Sequence, residues 1–252
     1  MEERSTQPGA TERPIVTAGA RAGVAGPDHL SDPRALTILT TEHWSLLSAR
    51  SLVYNEAFAR AGMFLTFLTG TLVALGFVSQ GSGYTREFLL LATVLLGFDL
   101  FIGLATLGRI SAAGGEEMRA VQGMNRIRHA YLEMVPTLQP YFSTSNHDDL
   151  LSVVAIYSTT PVQGPIIGNV AHGLTTTPGM VGTITAAVGG AFAAALALLF
   201  GATPIIGIVA GLVGFTILSV LVWTAALRQF RAIERTMDIR FPPQGEGGSP
   251  KR

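Results

Sequence analysis

Asp99 is the one ionisable side chain inside any of the long apolar runs of this 252-residue sequence. It stands near the middle of the run Phe88–Gly108, so in a membrane it lies close to the bilayer midplane, where a charge costs at least ~2.5–3.5 kcal/mol. The carboxyl is therefore expected either to carry its proton or to face a polar cavity. Two roles are open. It can be a proton- or cation-responsive group in a pathway, or a neutral carboxyl bonded to a hydroxyl on a neighbouring helix, with Thr66, Thr69, Thr71, Thr216 and Ser219 as candidates. No basic residue in any run could pair with it.

A second group is Arg126, His129 and Glu133, which share one face of a helix. Such a face can grip an anionic ligand or headgroup, and it is also what a solvated helix face looks like. The third is Ser145-Asn146-His147-Asp148, a capping-box pattern, with Asp149 adding acid to the first turn of a short helix reaching about Tyr157. Three adjacent side chains diverge on a helix and no second histidine cluster supports them, so capping is preferred here to a metal site.

Other chemistry is missing. With no cysteine there is no disulfide, thiolate metal site or cysteine nucleophile. Lys251 is the only lysine, so there is no P-loop, and HExxH, GxSxG and a GxGxxG after a strand are absent too. No cofactor or metal is expected, and an enzyme is the least favoured class. A formal net charge of +0 offers no basic face for nucleic acid.

The elements that must position these groups are membrane helices. Charged residues make up 13% of the chain, about half the usual globular share. Four runs, Ala61–Ser79, Phe88–Gly108, Pro178–Phe200 and Ile205–Leu227, are long enough to cross a bilayer as helices. Backbone amides in lipid must be bonded within the segment, so each pair reads as a transmembrane hairpin. The expected class is an all-α polytopic membrane protein with four transmembrane helices in two hairpins, plus cytoplasmic amphipathic helices.

In chain order, residues 1–34 read as a disordered tail, being rich in Pro and Gly with mixed charge. Residues 35–60 form an amphipathic helix starting near Thr41-Glu42. Its stripe Trp44, Leu47, Ser51, Tyr54 and Phe58 is expected to pack on this protein's own helices or on lipid headgroups. Residues 61–109 are the first hairpin. Residues 110–177 open with a heptad-type stripe, Ala120, Met124, Ile127, Tyr131, Met134 and Leu138, which either mediates oligomerisation or packs against the helix ending at Arg60. A charge-free Gly/Pro stretch, 158–175, follows as an interfacial or re-entrant loop. Thr177-Pro178 starts the second hairpin, 178–227, and 228–252 is a cytoplasmic tail.

Small residues recur every fourth position at Gly182, Ala186, Gly190 and Ala194, and Gly207 and Gly211 form a GxxxG pair. In lipid such residues let helices approach closely, so the third and fourth spans should pack together. Arginine placement sets the orientation. Arg50, Arg60, Arg109, Arg119, Arg126, Arg128, Arg228, Arg231, Arg235 and Arg240 flank the spans on one side, and the two hairpin turns hold only Arg86. Basic residues stay inside, so both termini are expected in the cytoplasm.

The stretch Gly123-Met124-Asn125-Arg126-Ile127-Arg128-His129-Ala130-Tyr131-Leu132-Glu133 and the later Thr176-Thr177-Pro178-Gly179-Met180 resemble a group of uncharacterised bacterial four-span membrane proteins, over about residues 40 to 230. The resemblance implies fold and membrane location and no activity. The expectation is thus a bacterial inner-membrane protein whose partners are the lipid bilayer and either further copies of itself or another membrane protein. Its function would be a small oligomeric channel or ion/proton-coupled transporter, or alternatively a scaffold recruiting partners through its cytoplasmic helices.

Overall fold

The structure, a computed structural model, describes residues 30–157 and 176–243; the expectations for residues 1–29, for the 158–175 loop and for 244–252 lie outside the described residues. The described residues are helical with no strand: α1 Ala35–Ser82, α2 Arg86–Met134, a 3-10 turn at Pro136–Tyr141, α3 Leu150–Val154, α4 Thr177–Leu199 and α5 Pro204–Thr236. Four of them, α1, α2, α4 and α5, are long and apolar enough to cross a membrane, which marks a membrane-embedded protein.

Local chemistry places the helix ends. Thr85, Thr176 and Thr203 cap α2, α4 and α5 by accepting from Phe88 N, Gly179 N and Ile206 N. The cap of α4 is thus Thr176, one residue before the expected Thr177. α1 starts at Ala35, ahead of Thr41-Glu42, because the Thr41 hydroxyl donates to Thr37 O inside the helix and caps nothing. Gly83 and Gly201, at φ 65 and 84, close α1 and α4 in a backbone region that other residues enter only with strain.

The amphipathic stretches at 35–60 and from 110 onward are continuous with the neighbouring spans. α1 runs unbroken through 48 residues and α2 through 49, about 72 Å each at 1.5 Å per residue. A hydrocarbon core of ~30 Å holds less than half of that. The N-terminal part of α1 and the C-terminal part of α2 therefore exceed the length of a span, and they lie together at one end of the helix pair, here called the head.

α2 is the spine. Its buried residues Ala92, Leu96, Asp99, Gly103, Thr106, Ile110, Ala113, Glu117, Val121, Met124 and Ile127 recur three or four apart from the membrane into the head. One edge of this face meets α1. Leu46 packs at Gly123, Arg50 at Glu117, Glu56 at Arg109 and Phe64 at Gly103, which makes the two helices antiparallel. The other edge meets α4, through Leu100 at Gly189 and Phe192 at Gly97. The principal contacts run α1–α2–α4–α5, leaving α1 and α5 at the two ends of a row.

The small residues stand where α4 and α5 cross. A Cβ on Gly190 would lie 2.7 Å from the Gly211 carbonyl oxygen, one on Gly211 would lie 3.2 Å from Ala194 Cβ, and one on Gly207 would lie 2.9 Å from Leu198. Gly182 lies against Val222, and Ala186 is buried in the same helix.

In the head, the heptad stripe packs within the chain at Met124 and Ile127, both buried, and opens at Leu138, 40% exposed. Val121, Met124 and Val153 form a buried cluster with Leu46, Ile156, Tyr157 and Met237 around it. The Trp44 stripe does not pack in this way. α1 turns Leu46, Arg50, Val53 and Ala57 toward α2, about a quarter-turn away, and leaves Trp44 63% exposed with Phe58 also open. The expectation that this stripe packs on the protein's own helices is corrected. The C-terminal segment is corrected as well, for residues 237–243 fold back onto α2 and are no free tail.

Candidate functional site

Three places on or beside the α2 spine gather polar chemistry. The first is Asp99. It is 2% exposed, and its Oδ2 has no hydrogen-bond partner among the described residues. One turn along, at Gly103, Phe64 and Thr185 close in so tightly that a Cβ there would lie 2.7 Å from Thr185 Oγ1. That hydroxyl is already donated to Val181 O at 2.7 Å. Of the hydroxyls expected to meet Asp99, those of Thr66, Thr69 and Thr216 donate to carbonyls one turn back in their own helices.

The second place is a cavity of about 590 Å³ where the spans give way to the head. Among the described residues its wall comes from Tyr54 and Phe58 of α1, Ile110 to Met118 of α2, Tyr157, the start of α4, and Gln229, Phe230 and Ile233 of α5. Polar groups converge at one end. Glu117, 8% exposed, accepts from Arg50 Nε at 2.9 Å, and the Arg50 guanidinium lies 5.8 Å from both the Tyr54 and the Tyr157 ring centroids. Burial works against the Arg50 charge, yet Glu117 outweighs it and holds the guanidinium above its ordinary pKa. Burial, then the Glu117 charge, push the Tyr157 phenol upward as well. Its hydroxyl is buried beside Glu117 without a partner in hydrogen-bond geometry.

Next to the cavity runs a ladder of exposed ion pairs. Arg109 binds Glu56 at 2.8 Å and Glu116 at 3.0 Å, and Arg60 binds Glu56 at 2.9 Å. Bonds first from Arg109 and then from Arg60 bring the Glu56 carboxyl down to about 2. A depressed carboxylate stabilises the fold above its unfolded pKa and loses that contribution as pH falls, here between roughly 4 and 2. Exposure to solvent keeps the contribution small.

The third place is a clasp in the head. Asp148 is 0% exposed, and its carboxylate accepts from Arg126 Nε at 2.8 Å, Arg240 N at 3.0 Å and Phe241 N at 2.8 Å. Burial alone would raise its pKa, but Arg126 and the two backbone amides prevail and hold it below the ordinary carboxylate range. α2 supplies the rest. Gln122 donates to Asp148 O and Asp238 O, Asn125 donates to His147 O, and the Arg126 guanidinium also donates to Asp238 O. His129 stacks on Phe241 at 4.1 Å and lies 3.5 Å from Glu133.

The face Arg126, His129 and Glu133 is thus brought together, with Arg126 and His129 turned onto the chain's own C-terminal segment. The capping expectation at 145–149 is redistributed. Asp149 caps α3 by accepting from Ser152 N, Ser145 Oγ accepts from His147 N, and Asp148 turns inward. Among the described residues no three His, Asp or Glu side chains converge as a metal site. Sequence does not single out Glu117, and it offers Asp148 only as part of a helix cap or a metal site. Extending the 4-3 spacing down α2 would have found Glu117, whereas the partners of Asp148 at Arg240 and Phe241 leave no local signal. Comparison with protein-family models, curated proteins and solved structures finds no match for this chain.

Proposed function

We infer that this chain is a subunit of a homo-oligomeric channel or proton- or ion-coupled transporter in the bacterial inner membrane, and that Asp99 is the side chain that exchanges the ion. In this reading the four spans form two hairpins, the head and both termini are cytoplasmic, and the ten flanking arginines hold that orientation. The observation that carries the function is the sealed mid-span carboxyl, with one oxygen unpartnered and no basic residue in any span to offset a charge. Intramembrane acids that are expensive and uncompensated mark ion or proton pathways.

Asp99→Asn keeps the shape and removes the exchangeable proton. Proton or monovalent-cation flux into proteoliposomes is expected to fall about tenfold or more, a change of ~1.4 kcal/mol in the limiting barrier, with unfolding temperature preserved. No flux from the unaltered protein, or equal flux from the variant, overturns the assignment. A scaffold is the second reading, favoured by the exposed Trp44 and Phe58 on the part of α1 that leaves the bilayer. It calls for retained partner binding in Asp99→Asn and lost binding in Trp44→Glu.

A further inference from the structure

We propose that the cavity at the junction of spans and head binds one acyl chain of a membrane amphiphile, with acceptor oxygens of its head bonded to the Tyr157 hydroxyl. Volume is the first argument. At about 590 Å³ the cavity falls in the ~300–1,000 Å³ range of small-molecule sites and suits a single chain with a small head. Depth is the second. The wall residues of α2 begin at Ile110, just past the end of the second span, and those of α4 include Pro178, at the start of the third, so the cavity lies at headgroup level.

The third argument is access. α1 and α5 stand at opposite ends of the helix row, and their exposed Phe58 and Phe230 face the cavity from either side. An acyl chain can therefore enter sideways from the leaflet. Chemistry is the fourth. The wall is mostly apolar. Glu117 accepts from Arg50 Nε, and the Tyr157 hydroxyl beside it is buried without a partner in hydrogen-bond geometry. A buried donor left in that state is destabilising, and an ester, carboxylate or phosphate oxygen of a lipid head supplies the missing acceptor.

The sequence of α2 fits this role. Gly114 and Gly115 stand in the middle of a helix, where glycine is less favourable than alanine. A Cβ on Gly114 would meet nothing within 4 Å, so close helix packing does not account for glycine there. Its missing side chain leaves the cavity open instead.

Photo-crosslinking tests the proposal in phosphatidylcholine vesicles containing full-length protein. One set receives a diazirine-acyl phosphatidylglycerol and a second set a diazirine fatty acid, which separates a bilayer phospholipid from a free acid. Label is expected on the cavity peptides around Phe58 and Phe230. Gly114→Leu, which fills the cavity without a backbone clash, should cut that label about tenfold and spare label on the outward-facing Phe77 and Ile217. Tyr157→Phe, which removes one hydrogen bond worth about 1 kcal/mol, should weaken it about fivefold. Asp99→Asn should leave it unchanged, so failure here and failure of the transport reading are distinguishable. Label spread evenly over the lipid-facing surface, indifference to Gly114→Leu, or exclusion of both probes because residues 158–175 of the chain itself crosslink there would each overturn the proposal.

Discussion

Asp148→Ala is expected to unfasten the head while leaving the spans in place. The substitution strips Arg126 Nε and the Arg240 and Phe241 amides of their common acceptor, three bonds that link α2, the 145–149 loop and the C-terminal segment. At about 1 kcal/mol for each of the three bonds the loss is about 3 kcal/mol, because Arg126 is 27% exposed and keeps its contacts with Asp238. At ~2–4 °C per kcal/mol the Tm should fall by roughly 10 °C. Amide exchange should locate the loss, with protection disappearing at 238–241 and at Asp148 while the middle of α4 keeps its own. Asp238→Asn is the control, since that side chain is 66% exposed and its ion pairs lie at the surface. An unchanged Tm with intact protection at 238–241 would show that the clasp does not hold the head.

The same carboxylate gives the head an acid limit. Its folded pKa lies below the unfolded one, so its contribution is complete above about pH 4 and declines as pH drops through the folded value. Glu56 adds a smaller slope of the same sign between roughly pH 4 and 2. Melting curves of the unaltered protein should therefore shift downward on acidification below pH 4, and those of Asp148→Ala should shift less.

Lipid explains why so much of the fold was readable. It permits few side-chain types over a long stretch, and α4 and α5 announce themselves by composition and by Thr-Pro caps. Charge, by contrast, marks no helix boundary. Arg60 and Arg109 stand where each helix leaves the apolar run, but an arginine is a good helix former, and neither helix breaks there. Hydrophobicity also picked the wrong face of α1. The apolar stripe with Trp44 and Phe58 is the richer one, whereas the packed face carries Arg50 and two alanines, Ala57 and Ala61, because it must come close to α2 and meet Glu117. On α2 the buried 4-3 stripe was legible only from Ala120 onward, since Asp99, Thr106 and Glu117 interrupt it with polar side chains. The Asp148 clasp joins residues about ninety apart in sequence, and no local pattern encodes such a contact.

Gly190→Leu should separate α4 from α5. In lipid no hydrophobic gain holds two helices together, so their association rests on close packing. At this crossing even a methyl group has no room. A Cβ on Gly190 would come within 2.7 Å of the Gly211 carbonyl, 3.0 Å of Phe215 Cβ and 3.3 Å of Phe215 N, and two of those three are backbone atoms that no rotamer change can move. The helices would have to part along their length, and contact would be lost at Ala194–Gly211 and Ala193–Gly214, where the equivalent spacings are 3.2 and 2.9 Å. Overpacking of this kind costs about 1–3 kcal/mol for a small side chain, and leucine should reach or exceed the upper end. Glycines elsewhere make the comparison sharp. Gly62 and Gly70 of α1 have nothing within 4 Å of a built Cβ, so alanine there should be neutral or stabilising by up to ~1 kcal/mol through helix propensity. The same Gly→Ala change is thus expected to raise or hold the Tm at Gly70 and to lower it at Gly190, and leucine should widen the gap. Equal effects at the two positions would mean that α4 and α5 do not meet through Gly190 and Gly211.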